Sequence, residues 1–125
     1  MRLLLDTHVY LWWLEDPALL SDQARIAIAD PRNHVFVSSA SIIEIAIKQA
    51  IGKLKLDEPP ELKLASCRFL ELPFTIAHAS AFRELPSSHK DPFDRMLAAQ
   101  ARVENLTLVT RDKMMNQYEL KLIAA

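Results

Sequence analysis

With 125 residues, half of them hydrophobic and a quarter charged, the chain has the length and balance of one ordinary globule that can build a core without disulfides or a structural metal. A formal net charge of −1 gives no whole-molecule attraction to polyanions, so any nucleic acid has to be held locally. Gly52 is the only glycine, which removes phosphate cradles of the GxGxxG and GxxxxGK[ST] kinds.

Leu3 to Leu5 is a short, continuously apolar run ending at Asp6, the pattern of a strand buried on both faces. The run starts like a signal peptide, but Asp6 and His8 interrupt it too early. A helix carrying Val9, Leu11, Trp12 and Trp13 follows until Asp16 and Pro17, and Ser21 caps a second helix over Asp22 to Ala29. Val35 to Val37 is the second strand. Ser38, Ser39 and Ser41 are all candidate caps for the next helix, which runs through Glu44 and Lys48 to about Ala50 and closes at Gly52.

Beyond Pro59 and Pro60 the spacing predicts helix over Leu62 to Cys67, a third strand over Phe69 to Leu72, and a short helix over Ile76 to Phe82. Leu85 to Lys90 is polar, contains Pro86, and reads as an exposed loop. Asp91 and Pro92 then open a long helix to about Glu104, in which Phe93, Met96, Leu97, Gln100 and Ala101 recur at helical spacing. Leu106 to Val109 is the fourth strand, Arg111 to Met115 a helical turn, and Leu120 to Ile123 the fifth strand. Alternating strands and helices imply an α/β fold, a parallel sheet covered on both sides, over one domain, 1–125. No stretch approaches the ~20 apolar residues of a membrane helix, and the lone Cys67 cannot pair within the chain. The expectation is a soluble, cytoplasmic protein.

In such folds ligands bind beyond the carboxyl ends of the strands, near the point where strand order reverses. Four acids fall on that edge: Asp6 after the first strand, Glu44 in the helix after the second, Asp94 in the long helix, and Asp112 after the fourth strand. Helices also begin there, and Asp is a favoured cap, so Asp6 and Asp112 are equally readable as caps. Ser41 and Glu44 fit an S-x-x-E capping box, and Asp91 and Asp94 fit the cap and first turn of the long helix. Taken together, however, four carboxylates in one cleft repel one another unless a cation compensates. A hard divalent ion such as Mg²⁺ or Mn²⁺ takes oxygen ligands of this kind.

Leu3-Leu4-Leu5-Asp6-Thr7-His8, the Glu44 helix, Lys90-Asp91-Pro92-Phe93-Asp94-Arg95 and Leu108-Val109-Thr110-Arg111-Asp112 together resemble the PIN domain of VapC-type toxins, over nearly the whole chain. The resemblance implies an α/β/α sandwich of about five strands in the order 3-2-1-4-5. It also implies a metal-dependent endoribonuclease, the toxin of a toxin-antitoxin pair, with Asp6, Glu44, Asp94 and Asp112 as both catalytic and metal-binding residues. Mg²⁺ or Mn²⁺ is the implied cofactor, RNA the substrate, and cleavage leaves a 5′-phosphate and a 3′-hydroxyl. The implied partners are a cognate VapB-like antitoxin and a second copy of the chain in a homodimer. Asp91 is assigned to the cap, with an outer metal role as the alternative, and Thr110 resembles the small polar residue found beside the last acid in this family.

Other residues compete for a role. His8, His34, His78 and His89 lack a spacing suited to zinc, and no G-x-S-x-G elbow surrounds Ser38, Ser39 or Ser41. Trp12 and Trp13 point about a hundred degrees apart on one helix; core packing is the first reading for either alone, with an exposed ring for the antitoxin or a second subunit as the alternative. Lys48, Arg95, Arg111 and Lys113 are candidates for RNA phosphates, or simply solvated charges. The rival functions are a phosphatase-like hydrolase with Asp6 as nucleophile, which typically wants a second Asp where His8 stands, and a catalytically silent partner-binding module.

Overall fold

The computed structural model describes residues 1–86 and 90–125. His89 and the middle of the loop expected over Leu85 to Lys90 lie outside the described residues. Five strands, β1 (Arg2–Leu5), β2 (His34–Ser38), β3 (Leu70–Leu72), β4 (Thr107–Thr110) and β5 (Leu122–Ala124), form a parallel sheet in the order β3-β2-β1-β4-β5. The α-helices are α1 (Thr7–Glu15), α2 (Asp22–Ala29), α3 (Ser39–Ala50), α4 (Leu64–Cys67), α5 (Ile76–Glu84) and α6 (Pro92–Glu104). Three 3₁₀ segments, Pro17–Leu19, Pro60–Lys63 and Lys113–Tyr118, complete the described secondary structure.

The apolar run of β1 is explained by its central place. Leu3, Leu4 and Leu5 are fully buried, but consecutive side chains point to opposite faces of a strand. Leu3 and Leu5 join one core with Val9, Tyr10, Ala24, Ile28 and Ile45 of α1 to α3, while Leu4 joins another with Leu97, Ala98 and Ala101 of α6. Val109 and Leu108 of β4 divide in the same way. The sheet is thus the middle layer of a sandwich, as expected from the alternation of elements.

Register brings the functional edge together. Leu5 pairs with Val37 on one side and with Val109 on the other, so the chain leaves β1, β2 and β4 at nearly the same level. From β1 the order runs outward through β2 to β3 one way and through β4 to β5 the other, which makes the carboxyl end of β1 the switch point.

Strands three, four and five begin one or two residues later than their apolar runs predict. Phe69 and Leu106 belong to helix ends instead. After α6, Asn105 takes a left-handed conformation (φ 54°), Leu106 N–H donates to Ala101 O at 2.9 Å and Asn105 N–H to Arg102 O at 3.4 Å. Arg68 (φ 61°) closes α4 alike, with Phe69 N–H on Leu64 O at 2.9 Å. Both are Schellman ends, in which the residue after the left-handed one is apolar and folds back on the helix. Gly52 (φ 75°) closes α3 through Lys53 N–H to Lys48 O at 2.9 Å, as expected for the glycine. The turn expected over Arg111 to Met115 is instead the 3₁₀ segment Lys113–Tyr118, and Glu119 (φ 55°) follows it before β5.

Candidate active site

Asp6 follows β1 directly, with its backbone N–H on Val109 O at 3.0 Å, so the residue is fixed between β1 and β4. Its carboxylate caps α1 by accepting from His8 N–H at 3.2 Å through Oδ1, and accepts the Thr110 hydroxyl at 2.6 Å through Oδ2. Burial pushes this carboxyl up from the usual range, with the Thr110 and His8 hydrogen bonds opposing and the charge of Glu44 adding to it. Thr110 Oγ1 also accepts Asp112 N–H at 3.0 Å, so one hydroxyl ties both acids to the end of β4. Asp112 in turn caps the last 3₁₀ segment, accepting from Met114 N–H at 2.9 Å.

Glu44 lies in α3 and is 3% exposed. The expected Ser41–Glu44 capping box does not form, because Ser38 is the cap, accepting Ala40 N–H at 3.0 Å, and the helix starts three residues earlier. Ser41 instead accepts the Thr7 hydroxyl at 2.9 Å in a buried bond that joins α1 to α3 beside the two acids. Glu44 Oε2 pairs with Lys48 Nζ at 3.0 Å, one helical turn on. Its other oxygen, Oε1, is buried without a hydrogen-bond partner. Such a carboxylate oxygen is costly unless something positive meets it.

Asp91 caps α6, accepting Phe93 N–H at 2.9 Å, which agrees with its assignment, and Asp94 lies in the first turn. The Asp94 carboxyl is pushed up to about 8, first by burial and then by the charges of Asp6, Asp91, Asp112 and Glu44. These acids therefore share one electrostatic environment. Asp6, Asp94 and Asp112 line a cavity of about 200 Å³ with His8, Val9, Trp12 and Arg111, while Glu44 is outside its lining and bears on Asp6 and Asp94 through its charge. Among the described residues no three His, Cys, Asp or Glu side chains already stand at ligand spacing around one point, so a cation would have to draw the acids inward. The carboxylate donor set suits a hard divalent ion, and the partnerless buried Glu44 oxygen and the raised Asp94 carboxyl are both features that a nearby cation would relieve.

The basic candidates are more constrained than sequence implies. Arg111 donates to Leu19 O and, at 2.9 Å, to Ala125 O, with its guanidinium 4.2 Å from the centre of the Trp12 ring. Arg95 lies over the Phe82 ring at 4.4 Å. Neither is a freely solvated charge, Lys48 is held by Glu44, and Lys113 is exposed. Trp12 and Trp13 are both half-buried and packed against the core, Trp12 beside His8 and Arg111, and Trp13 against Phe69, so neither is a fully exposed ring. Cys67 is partly buried against the sheet's α1 to α3 core.

Sequence reasoning missed the Thr7–Ser41 bond and the place of His8 in the cavity wall; adjacency to Asp6 was the only signal for either. It also missed a part-buried bridge between α5 and α6. His78 accepts Thr75 N–H at Nδ1 (2.9 Å) and its Nε2 meets Glu104 Oε1 at 3.0 Å, so the ring ties α5 to α6. No helix among the described residues is long and apolar enough to cross a membrane.

The sheet order agrees with the class that the sequence match shows: residues 3–121 match the PIN domain model, and the chain belongs to that family. Its kinship is with VapC-type members. Ribonuclease VapC22 of Mycobacterium tuberculosis is 30% identical over 118 residues, covering 92% of this chain and 90% of the relative. VapBC2 from Rickettsia felis, bound to a DNA fragment from its promoter, superposes with a TM-score of 0.74 at 21% identity over 99% of this chain and 98% of that one. DNA-bound VapBC from Salmonella typhimurium gives 0.67 at 18% identity, with 99% and 98% covered. At these identities the solved structures bear on the fold alone.

Proposed function

We propose that the chain is a ribonuclease that hydrolyses RNA phosphodiester bonds at the acidic edge with Mg²⁺ or Mn²⁺, held by Asp6, Glu44, Asp94 and Asp112. One observation carries the reading: five carboxylates, Asp6, Glu44, Asp91, Asp94 and Asp112, act on one end of the sheet, where burial first and the other four charges second push Asp94 up to about 8, a penalty that a divalent cation would offset. The name of the 30% identical relative, a ribonuclease, agrees with it. A bound divalent ion supplies Lewis acidity, lowering the pKa of an attacking water and offsetting charge on the phosphate.

The chain's own residues supply position. Thr110 holds Asp6 Oδ2 and the Asp112 backbone N–H, tying both acids to the end of β4. The Thr7–Ser41 bond holds the Asp6 segment against the Glu44 helix. Trp12 and the Arg111 guanidinium over it form an apolar and cationic wall to the same cavity, suited to a base and its phosphate. The partners proposed are a VapB-like antitoxin covering this cleft and a second copy of the chain. The two solved neighbours named above are VapBC assemblies, and Ile43 and Ile47 on successive turns of α3, with Ile51 just past its end, are exposed and offer an apolar ridge for a protein surface.

The test is RNA cleavage by the purified chain, freed of any partner. Cleavage is expected with Mg²⁺ or Mn²⁺ and lost in excess chelator, leaving a 5′-phosphate. Undiminished cleavage in chelator would remove the metal reading, and no cleavage under any condition would leave the silent binding module.

A further inference from the structure

Glu44 presents an unusual combination. It is a carboxylate buried to 3% exposure in the middle of a helix, with one oxygen on the Lys48 ammonium at 3.0 Å and the other with no partner. A purely structural i,i+4 ion pair sits in solvent, where each oxygen hydrates and the pair contributes little. Here the pair is drawn inward: the Lys48 side chain is 35% exposed and that of Glu44 only 4%. Burial with one oxygen orphaned costs stability, and an apolar residue at position 44 would pack without that cost. The arrangement makes sense when Oε2 is satisfied within the chain and Oε1 is kept for an outside cation.

We propose that Lys48 is the positioning residue of the cation site, pinning Glu44 Oε2 so that Oε1 alone is presented to a divalent ion. This rests on the reading of the acidic edge as such a site. A Mg²⁺ or Mn²⁺ ion sharing Oε2 would stand at most about 5 Å from the ammonium, since the ion lies about 2.1 Å from its ligand oxygen. Repulsion at that range favours the far oxygen. Lys48 thereby fixes the plane of the carboxylate and limits Glu44 to one-oxygen ligation. The role assigned is orientation, at some expense of affinity, because the same positive charge opposes the incoming cation.

The experiment uses the full chain with Mn²⁺ alone as the probe, followed by EPR, and single-turnover RNA cleavage at saturating Mn²⁺. Lys48→Met keeps the length and apolar stem of the side chain while removing its charge, and Lys48→Arg keeps a charge able to reach Glu44. In Lys48→Met the Mn²⁺ affinity is expected to hold or to tighten by up to about tenfold as the opposing charge goes. Its Mn²⁺ spectrum should change, and cleavage should fall by roughly tenfold or more because the ligand is no longer fixed. Lys48→Arg should restore much of the cleavage. Weaker Mn²⁺ binding by Lys48→Met, or cleavage at the wild-type rate, overturns the proposal while leaving the site intact. A wild-type chain that binds no Mn²⁺ and cleaves without it overturns the site and this inference together.

Discussion

Asp6 and Asp112 show that cap and candidate ligand are not competing identities. A carboxylate has two oxygens and several lone pairs, and at each residue Oδ1 serves as the cap, on His8 N–H for Asp6 and on Met114 N–H for Asp112. Asparagine keeps that oxygen and loses the charge. Asp112→Asn is therefore expected to change unfolding free energy by no more than about 0.5 kcal/mol, since Asn and Asp cap alike. Its metal-dependent RNA cleavage should fall on the order of a hundredfold. Urea denaturation beside single-turnover cleavage reads both, and a variant that keeps its rate makes Asp112 a cap only. The four acids were legible in the sequence because they stand where strands hand over to helices. Their partners were not, since the Lys48 and Thr110 contacts depend on rotamers and register that spacing leaves open.

At the scale of elements, helix starts and helix ends explain where the sequence misleads. Three serines of equal capping preference lie at the start of α3, and the S-x-x-E pattern favours Ser41, yet Ser38 is the cap, at the end of β2 in register with Leu72. Ser38→Ala should destabilise the chain by about 1 kcal/mol through the lost cap. Ser41→Ala should cost about 1–3 kcal/mol because the buried Thr7 hydroxyl loses its acceptor. Equilibrium unfolding of the two variants checks this, and a neutral Ser38→Ala would return the cap to another serine. With a single glycine, the chain uses Arg68, Asn105 and Glu119 at left-handed positions. Glycine is the usual signal for such ends, so its absence hides the Schellman turns and makes Phe69 and Leu106 look like strand residues.

The parallel sheet and its two covering layers follow from the alternation of short apolar runs with amphipathic helices, because parallel strands need crossovers and a strand covered on both faces must be apolar throughout, whereas the strand order was implied only by the family resemblance. What alternation cannot carry is the charge balance of the finished edge. Asp94 is raised to about 8 and Asp6 is raised as well, against about 3.9 in an unfolded chain. Between those values the folded, metal-free protein holds more protons than the unfolded one, so its stability must fall as pH rises from about 4 through 8. The Asp94 group is partly solvated, which limits its contribution to on the order of 1–2 kcal/mol. Thermal melts across pH 5 to 8, in chelator and in excess Mn²⁺, test the account most directly. In chelator the melting temperature should drop toward pH 8, and Mn²⁺ should abolish or reverse that drop by binding the ionised acids. A melting temperature that is flat or rising with pH in chelator, or a fall that Mn²⁺ leaves unchanged, would contradict a divalent-cation site at this edge.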